Sequence, residues 1–210
     1  MQLGLFMMPL HPPAKDRTSG FEEDIEAVVL ADELGFSEAW IGQHHSVAWE
    51  PIPANDLFIA TVLPRTKNIR FGTGVSIIPQ HHPANMAVRL AFLDHLSRGR
   101  IYCGFGQGGV PTDWGLFDLP DPKTQGLMTL EGIDMILKLW SAEAPFDFKG
   151  DFWRIRIADP VPELGIGELL KPYQQPHPPI AMSIVKGESM AARTAASPQA
   201  NASSTSVSLA

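Results

Sequence analysis

The chain has 210 residues, and its 16 Lys+Arg against 23 Asp+Glu give a net charge of −7, which argues against nucleic acid as the main partner. Its 44% apolar and 19% charged content is that of a folded globular protein, and a lone cysteine, Cys103, excludes an internal disulfide and a cysteine-based zinc site. No apolar run reaches ~18 residues and Met1–Gly4 lacks a basic signal segment, so a cytoplasmic protein without membrane contact is expected.

The first element is a short apolar run, residues 2–8, stopped by Pro9, Pro12 and Pro13, which reads as a buried strand. Ser19 with Glu22 three residues on has the form of a capping box. Phe21, Ile25, Val28 and Val29 then follow helical spacing, and Gly35 is placed to end the helix. A second strand, 38–43, runs into Gln43, His44 and His45, and Asn55 to Val62 reads as a helix limited by Pro64. Residues 69–78 form a β-rich run containing Gly72 and Gly74. Pro83 can occupy the first turn of a helix that reaches Leu96, with Gly99 as its stop. A strand at 101–106, helical spacing from Leu127 to Trp140, and a strand at 180–185 followed by a short helical stretch complete the pattern.

Continuously apolar strands alternating with helices predict an α/β fold with a parallel sheet covered on both faces. Two long proline-bearing connections, 108–122 and 144–178, break the rhythm, and Phe152 to Ile157 can add a small strand. Residues 197–210 turn small, polar and aperiodic, the composition of a disordered tail after a domain spanning 1–196.

Candidate chemistry falls where the parallel strands end, the usual ligand-binding face of such folds. His44 is placed for proton transfer or for holding an oxyanion, whereas His11, His95 and His177 read as structural. Adjacent residues of a strand point to opposite faces, so His44 and His45 are not expected to share a metal ion. Gly104 to Gly109 matches G-x-G-x-x-G, but Pro111 follows where a dinucleotide site needs a helix. Its glycines still admit a flat ring or a phosphate close to the backbone. Lys186 to Ser189 stands at a helix start, the better phosphate candidate, with plain capping by Ser189 as the alternative. An apolar pocket is expected around Met8, Trp49, Trp114 and Phe117, each of which could equally be core.

Four stretches, taken together, resemble the bacterial-luciferase-like family of flavin-dependent monooxygenases: Glu38 to His45, Arg65 to Val75, His81 to Asn85 and Leu93 to Arg100. Leu170 to Gln174 and Pro176 to Ile180 add a likeness to its limonene-type branch. The resemblance implies a TIM (β/α)8 barrel, of which this chain holds about the first five βα units. It also implies reduced FMN, supplied by a separate NAD(P)H:flavin reductase, and O2, which form a flavin C4a-peroxide that oxygenates a small apolar terpene- or aldehyde-like substrate. Full-length relatives are expected to be dimers.

Position by position, the resemblance assigns His44 to the peroxyflavin chemistry and Gly74-Val75 to a non-proline cis peptide beneath the flavin ring. It assigns Gln107 and Gly108, with Gly187, Glu188 and Ser189, to the flavin phosphate region. Gln107 stands where luciferases have arginine and supplies no charge, and Gln43 stands where glutamate is frequent. An F420-dependent oxidoreductase of the same fold, or an inactive truncated relative, are the alternatives.

Overall fold

The computed structural model describes residues 2–183. The chain alternates strand and helix: β1 (Gly4–Met7), α1 (Arg17–Glu33), β2 (Glu38–Ile41), α2 (Asn55–Val62), β3 (Arg70–Thr73), β4 (Ser76–Ile77) and α3 (Pro83–Ser97). After these come β5 (Ile101–Gly106), α4 (Pro111–Leu116), α5 (Pro122–Ser141), β6 (Phe146–Lys149), β7 (Arg154–Ile157) and β8 (Ile180–Met182). β1, β2, β3 and β5 lie side by side in parallel; β4 continues the path of β3 along β5, and β8 pairs with the other side of β5, also in parallel. Among the described strands β6 and β7 alone pair antiparallel, and they form a separate hairpin. Every strand of the main sheet therefore ends at the same rim, and five strand positions of a (β/α)8 barrel are occupied.

The core explains why the strands read as continuous apolar runs. Ile41, Phe71, Cys103 and Phe105 are buried in the sheet, beneath Val28 of α1, Ile59 and Val62 of α2, Leu90 of α3, and Ile136 and Leu139 of α5. Each large side chain so buried contributes about 1.5–3 kcal/mol. Two aspartates, Asp32 partly buried and Asp94 fully buried, tie the layers together. Asp32 of α1 accepts the backbone N–H groups of Lys67, Asn68 and Ile69 just before β3, at 2.7, 2.9 and 2.7 Å. Asp94 of α3 holds Gln174, both its backbone N–H and its side-chain amide at 2.8 Å, and so places the segment that leads into β8.

Several sequence expectations need correction. The cap of α1 is Asp16, not Ser19: Asp16 Oδ1 accepts the Ser19 backbone N–H at 2.9 Å, so Ser19 lies inside the first turn. Residues 69–78 are not one strand but β3 and β4, interrupted at a cis Gly74–Val75 peptide. Pro111 does open a helix, the short α4, because its missing N–H costs nothing at a first-turn position. Within 144–178, the expected small strand is the second arm of the β6–β7 hairpin. Gly99 is correctly placed past α3, although Arg98 also adopts a left-handed conformation there, with φ of 55°. Gly187, Glu188, Ser189 and the 197–210 tail lie outside the described residues, as does the end of the strand expected at 180–185.

Candidate active site

The rim formed by the strand ends carries an apolar cleft, lined by Phe6, Trp40, Gly74, Val75, Gly104, Ala181, Met182 and Ser183. Its floor is the Trp40 indole, which lies across the sheet because two neighbouring strands have no side chain beneath it. A Cβ on Gly72 would stand 2.2 Å from Trp40 Cε3, and one on Gly104 would stand 3.0 Å from Trp40 Cζ3. The indole stacks on Tyr102, ring centroids 5.7 Å apart and 11° from parallel. Gly104 is held flat by Thr73, whose hydroxyl donates to the Gly104 carbonyl at 2.8 Å and accepts its N–H at 2.9 Å. Asn55, buried at the start of α2, donates its side-chain amide to the carbonyls of Val75 and Ile41 at 3.2 and 3.4 Å. That bond joins the end of β2 to the β3–β4 junction. The result is a rigid apolar slot with Gly74 and Val75 in its wall.

Beyond β2 the chain turns through Gln43, His44 and His45, and the two histidines take different partners. His45 Nε2 contacts Gln80 Oε1 at 3.0 Å and Gln43 Nε2 at 3.2 Å, and its ring meets Phe117 edge-on at 4.7 Å. His44 lies between two carboxylates. Its Nε2 is 3.2 Å from Glu50 Oε2, and its Nδ1 is 3.7 Å from Asp113 Oδ2. Glu50 is 1% exposed and Asp113 is 2% exposed. The Glu50 carboxyl occupies room left by Gly42, where a Cβ would meet Oε1 at 2.6 Å. Asp113 is oriented by the backbone N–H groups of His45 and Ser46, at 3.2 and 2.8 Å, and by the Ser46 hydroxyl.

Charge follows from this packing. The contact with Glu50, helped by Asp113, raises the His44 pKa above the ordinary histidine value against the opposing effect of burial. Burial opposes ionisation of Asp113, but the donors from Ser46 and His45 outweigh it and hold the carboxyl below the usual range. Burial lowers the pKa of the neighbouring His81. His44 Nδ1, Glu50 Oε2, Gln80 Nε2 and Trp114 Nε1 are buried here without a hydrogen-bond partner. Three of these four can donate, which suits a bound molecule with polar edges. The slot at the same rim is walled by Phe6, Trp40, Val75 and the bare backbone of Gly74, a lining whose apolar character fits the ring end of a flavin.

Not every candidate residue converges on this place. Gly74 and Val75 line the cleft, and Gly108, with φ of 78°, packs against Ile77 at the same rim. Gln107 turns its side-chain oxygen toward Gly126 of α5, 3.3 Å from where a Cβ would stand. Of the expected pocket residues, Phe117 lies against His45, while Trp49 and Met8 are 47% and 44% exposed. His11, His95 and His177 bond Asp24 and the carbonyls of Lys171 and Pro178, respectively. Among the described residues no group of three His, Cys, Asp or Glu side chains is arranged to hold a metal ion. Sequence reading missed Glu50, Asp113, Gln80 and Trp40. An acidic residue inside an otherwise apolar stretch, as at Glu50 and Asp113, was the one available signal.

The comparisons agree with this architecture. The structure superposes on the FMN complex of the oxygenating constituent of 3,6-diketocamphane monooxygenase from Pseudomonas putida, a type II Baeyer–Villiger monooxygenase. The TM-score is 0.88 and the identity 27%, over 99% of this chain and 57% of that one. Among curated relatives, 4-hydroxyprotoasukamycin monooxygenase of Streptomyces nodosus subsp. asukaensis is 37% identical over 75% of this chain and 42% of its own length. Limonene 1,2-monooxygenase of Rhodococcus erythropolis is 37% identical over 68% of this chain and 37% of its own length. The chain thus spans about two fifths of the length of these two relatives. Residues 1–197 match the luciferase-like monooxygenase family, and the chain belongs to that family.

Proposed function

We propose that this chain carries the oxygenating site of a flavin-dependent monooxygenase. In this reading it uses reduced FMN, delivered by a separate NAD(P)H:flavin reductase, and O2 to oxygenate a small apolar organic substrate of terpene or aldehyde type. The observation that carries the reading is one rim holding both a rigid apolar slot and a half-buried histidine, with Trp40 and His44 supplied by the same strand and its following turn. Bound there, the flavin would supply activation of O2 at its C4a position. Val75 and the Trp40 floor would orient the ring, and the apolar walls would exclude water from the reacting face. His44 would act on the proton or the negative charge that develops on oxygen. Gly187, Glu188 and Ser189, with the Gln107–Gly108 turn, are assigned the flavin phosphate on the strength of the family resemblance.

The test combines the chain, a flavin reductase, NADH, FMN and a panel of terpenes and aldehydes, with products identified by mass spectrometry. Oxygenated product is expected, and His44→Ala should lower its yield by roughly 10²–10⁴-fold, the usual worth of a general acid or base. Flavin affinity, measured by fluorescence titration, should be nearly unchanged in that variant. Binding of F420 with no binding of FMN would overturn the reading.

A further inference from the structure

An imidazole with a carboxylate at each ring nitrogen has an unusual problem. In its neutral form one nitrogen bears a proton and the other a lone pair. Whichever tautomer is chosen, that lone pair then faces a carboxylate. At His44 both carboxylates are buried: Glu50 at 3.2 Å from Nε2, from the loop after β2, and Asp113 at 3.7 Å from Nδ1, from α4. Asp113 is committed to its charged form by three donors from His45 and Ser46. Glu50 differs, because Oε2 has no hydrogen-bond partner and the nearest cationic group it contacts is His44. An unpaired carboxylate at 1% exposure would cost several kcal/mol, so its charge demands a positive neighbour. His45, the adjacent ring, is engaged by Gln43 and Gln80 instead.

We propose that Glu50 is a positioning residue that, with Asp113 opposite, holds His44 as a doubly protonated imidazolium in the turn after β2, at the rim that also carries the cleft. This deepens the monooxygenase reading and rests on it only for the use to which the charge is put. As an imidazolium, His44 stabilises negative charge developing on oxygen and supplies a proton; it does not begin as a base. Gly42 belongs to the same device, since any side chain there would displace the Glu50 carboxyl.

The test is ¹⁵N NMR of the imidazole nitrogens in the unmodified chain, with the His44 signals assigned by their loss in His44→Asn. Both nitrogens should be protonated at pH 7, and the midpoint of titration should move to lower pH in Glu50→Gln, which keeps shape but removes charge. A single neutral tautomer at pH 7 in the unmodified chain overturns the proposal, and so does a midpoint unmoved in Glu50→Gln. Should Glu50→Gln fail to fold, the measurement on the unmodified chain still decides. Oxygenation that survives His44→Asn would remove His44 from the reaction while leaving the NMR result intact, so the two readings fail separately.

Discussion

Single carboxylates do two different jobs in this molecule, and the difference is set by what donates to them. Glu50 is buried against a cation, whereas the partly exposed Asp32 accepts three backbone N–H groups from Lys67, Asn68 and Ile69. Burial of Asp32 disfavours its charge, but those donors, with the Arg100 guanidinium, prevail and hold its pKa below the ordinary aspartate value. A depressed carboxylate contributes stability that is present above its unfolded pKa and is lost as pH falls through the folded one. Acid denaturation followed by circular dichroism should therefore show part of its pH dependence removed in Asp32→Asn. The variant should lose about 1–3 kcal/mol at neutral pH, toward the lower end because Asp32 is partly exposed. At this scale the sequence was half legible. His44 could be picked out because a titratable side chain at a strand end points to a ligand face. Its partners could not, since Asp113 reaches it from another βα unit and only the fold brings them together.

Elements were the most legible level, because apolar periodicity reflects the same burial that forms them. Strands stand within each of the five expected stretches, the third divided into β3 and β4 and the fifth described only to residue 183, and α1, α2, α3 and α5 stand where the pattern places them. The errors have local causes. α4 is six residues long, too short to show a period, and Asp16 and Ser19, three residues apart, both carry a capping side chain, so sequence alone does not separate the two starts. One close approach between elements invites a direct test. α5 lies so near the turn after β4 that a Cβ on Gly132 would stand 2.3 Å from Ile78 Cγ2. The Trp140 indole N–H, bonded to the Ala87 carbonyl of α3 at 3.0 Å, resists any retreat of α5. Gly132→Ala should lower stability in urea by about 1–3 kcal/mol despite the better helix propensity of alanine. Ile78→Ala removes the clashing methyl and leaves a cavity. The double variant should therefore lose less than the sum of the two single losses, the signature of direct contact. Strict additivity would show that α5 moves freely and that the approach carries no energetic weight.

The whole sheet has two sides that the described residues do not cover. β1 pairs with β2 alone, and β8 pairs with β5 alone. A barrel removes its edges by joining first strand to last, which these residues do not do among themselves. The β1 edge is apolar and uncharged over Gly4–Met7, with Phe6 at 38% exposure, and it is flanked by Leu3 at 50% and Met8 at 44%. Edge strands in stable proteins are usually blunted by lysine, proline or a bulge; here the prolines begin only at Pro9, after the strand has ended. A parallel edge cannot be capped by a simple hairpin, because its neighbour must come from a crossover or from another chain. The purified 210-residue chain is therefore expected to associate with rising concentration, read as a growing mass in size-exclusion chromatography with light scattering. Met8→Lys places a charge beside the edge without entering the cleft, and it should push that association to higher concentration. A monodisperse monomer over the whole series, with a sharp cooperative melt, would show that the β1 edge is already covered and would rule this out.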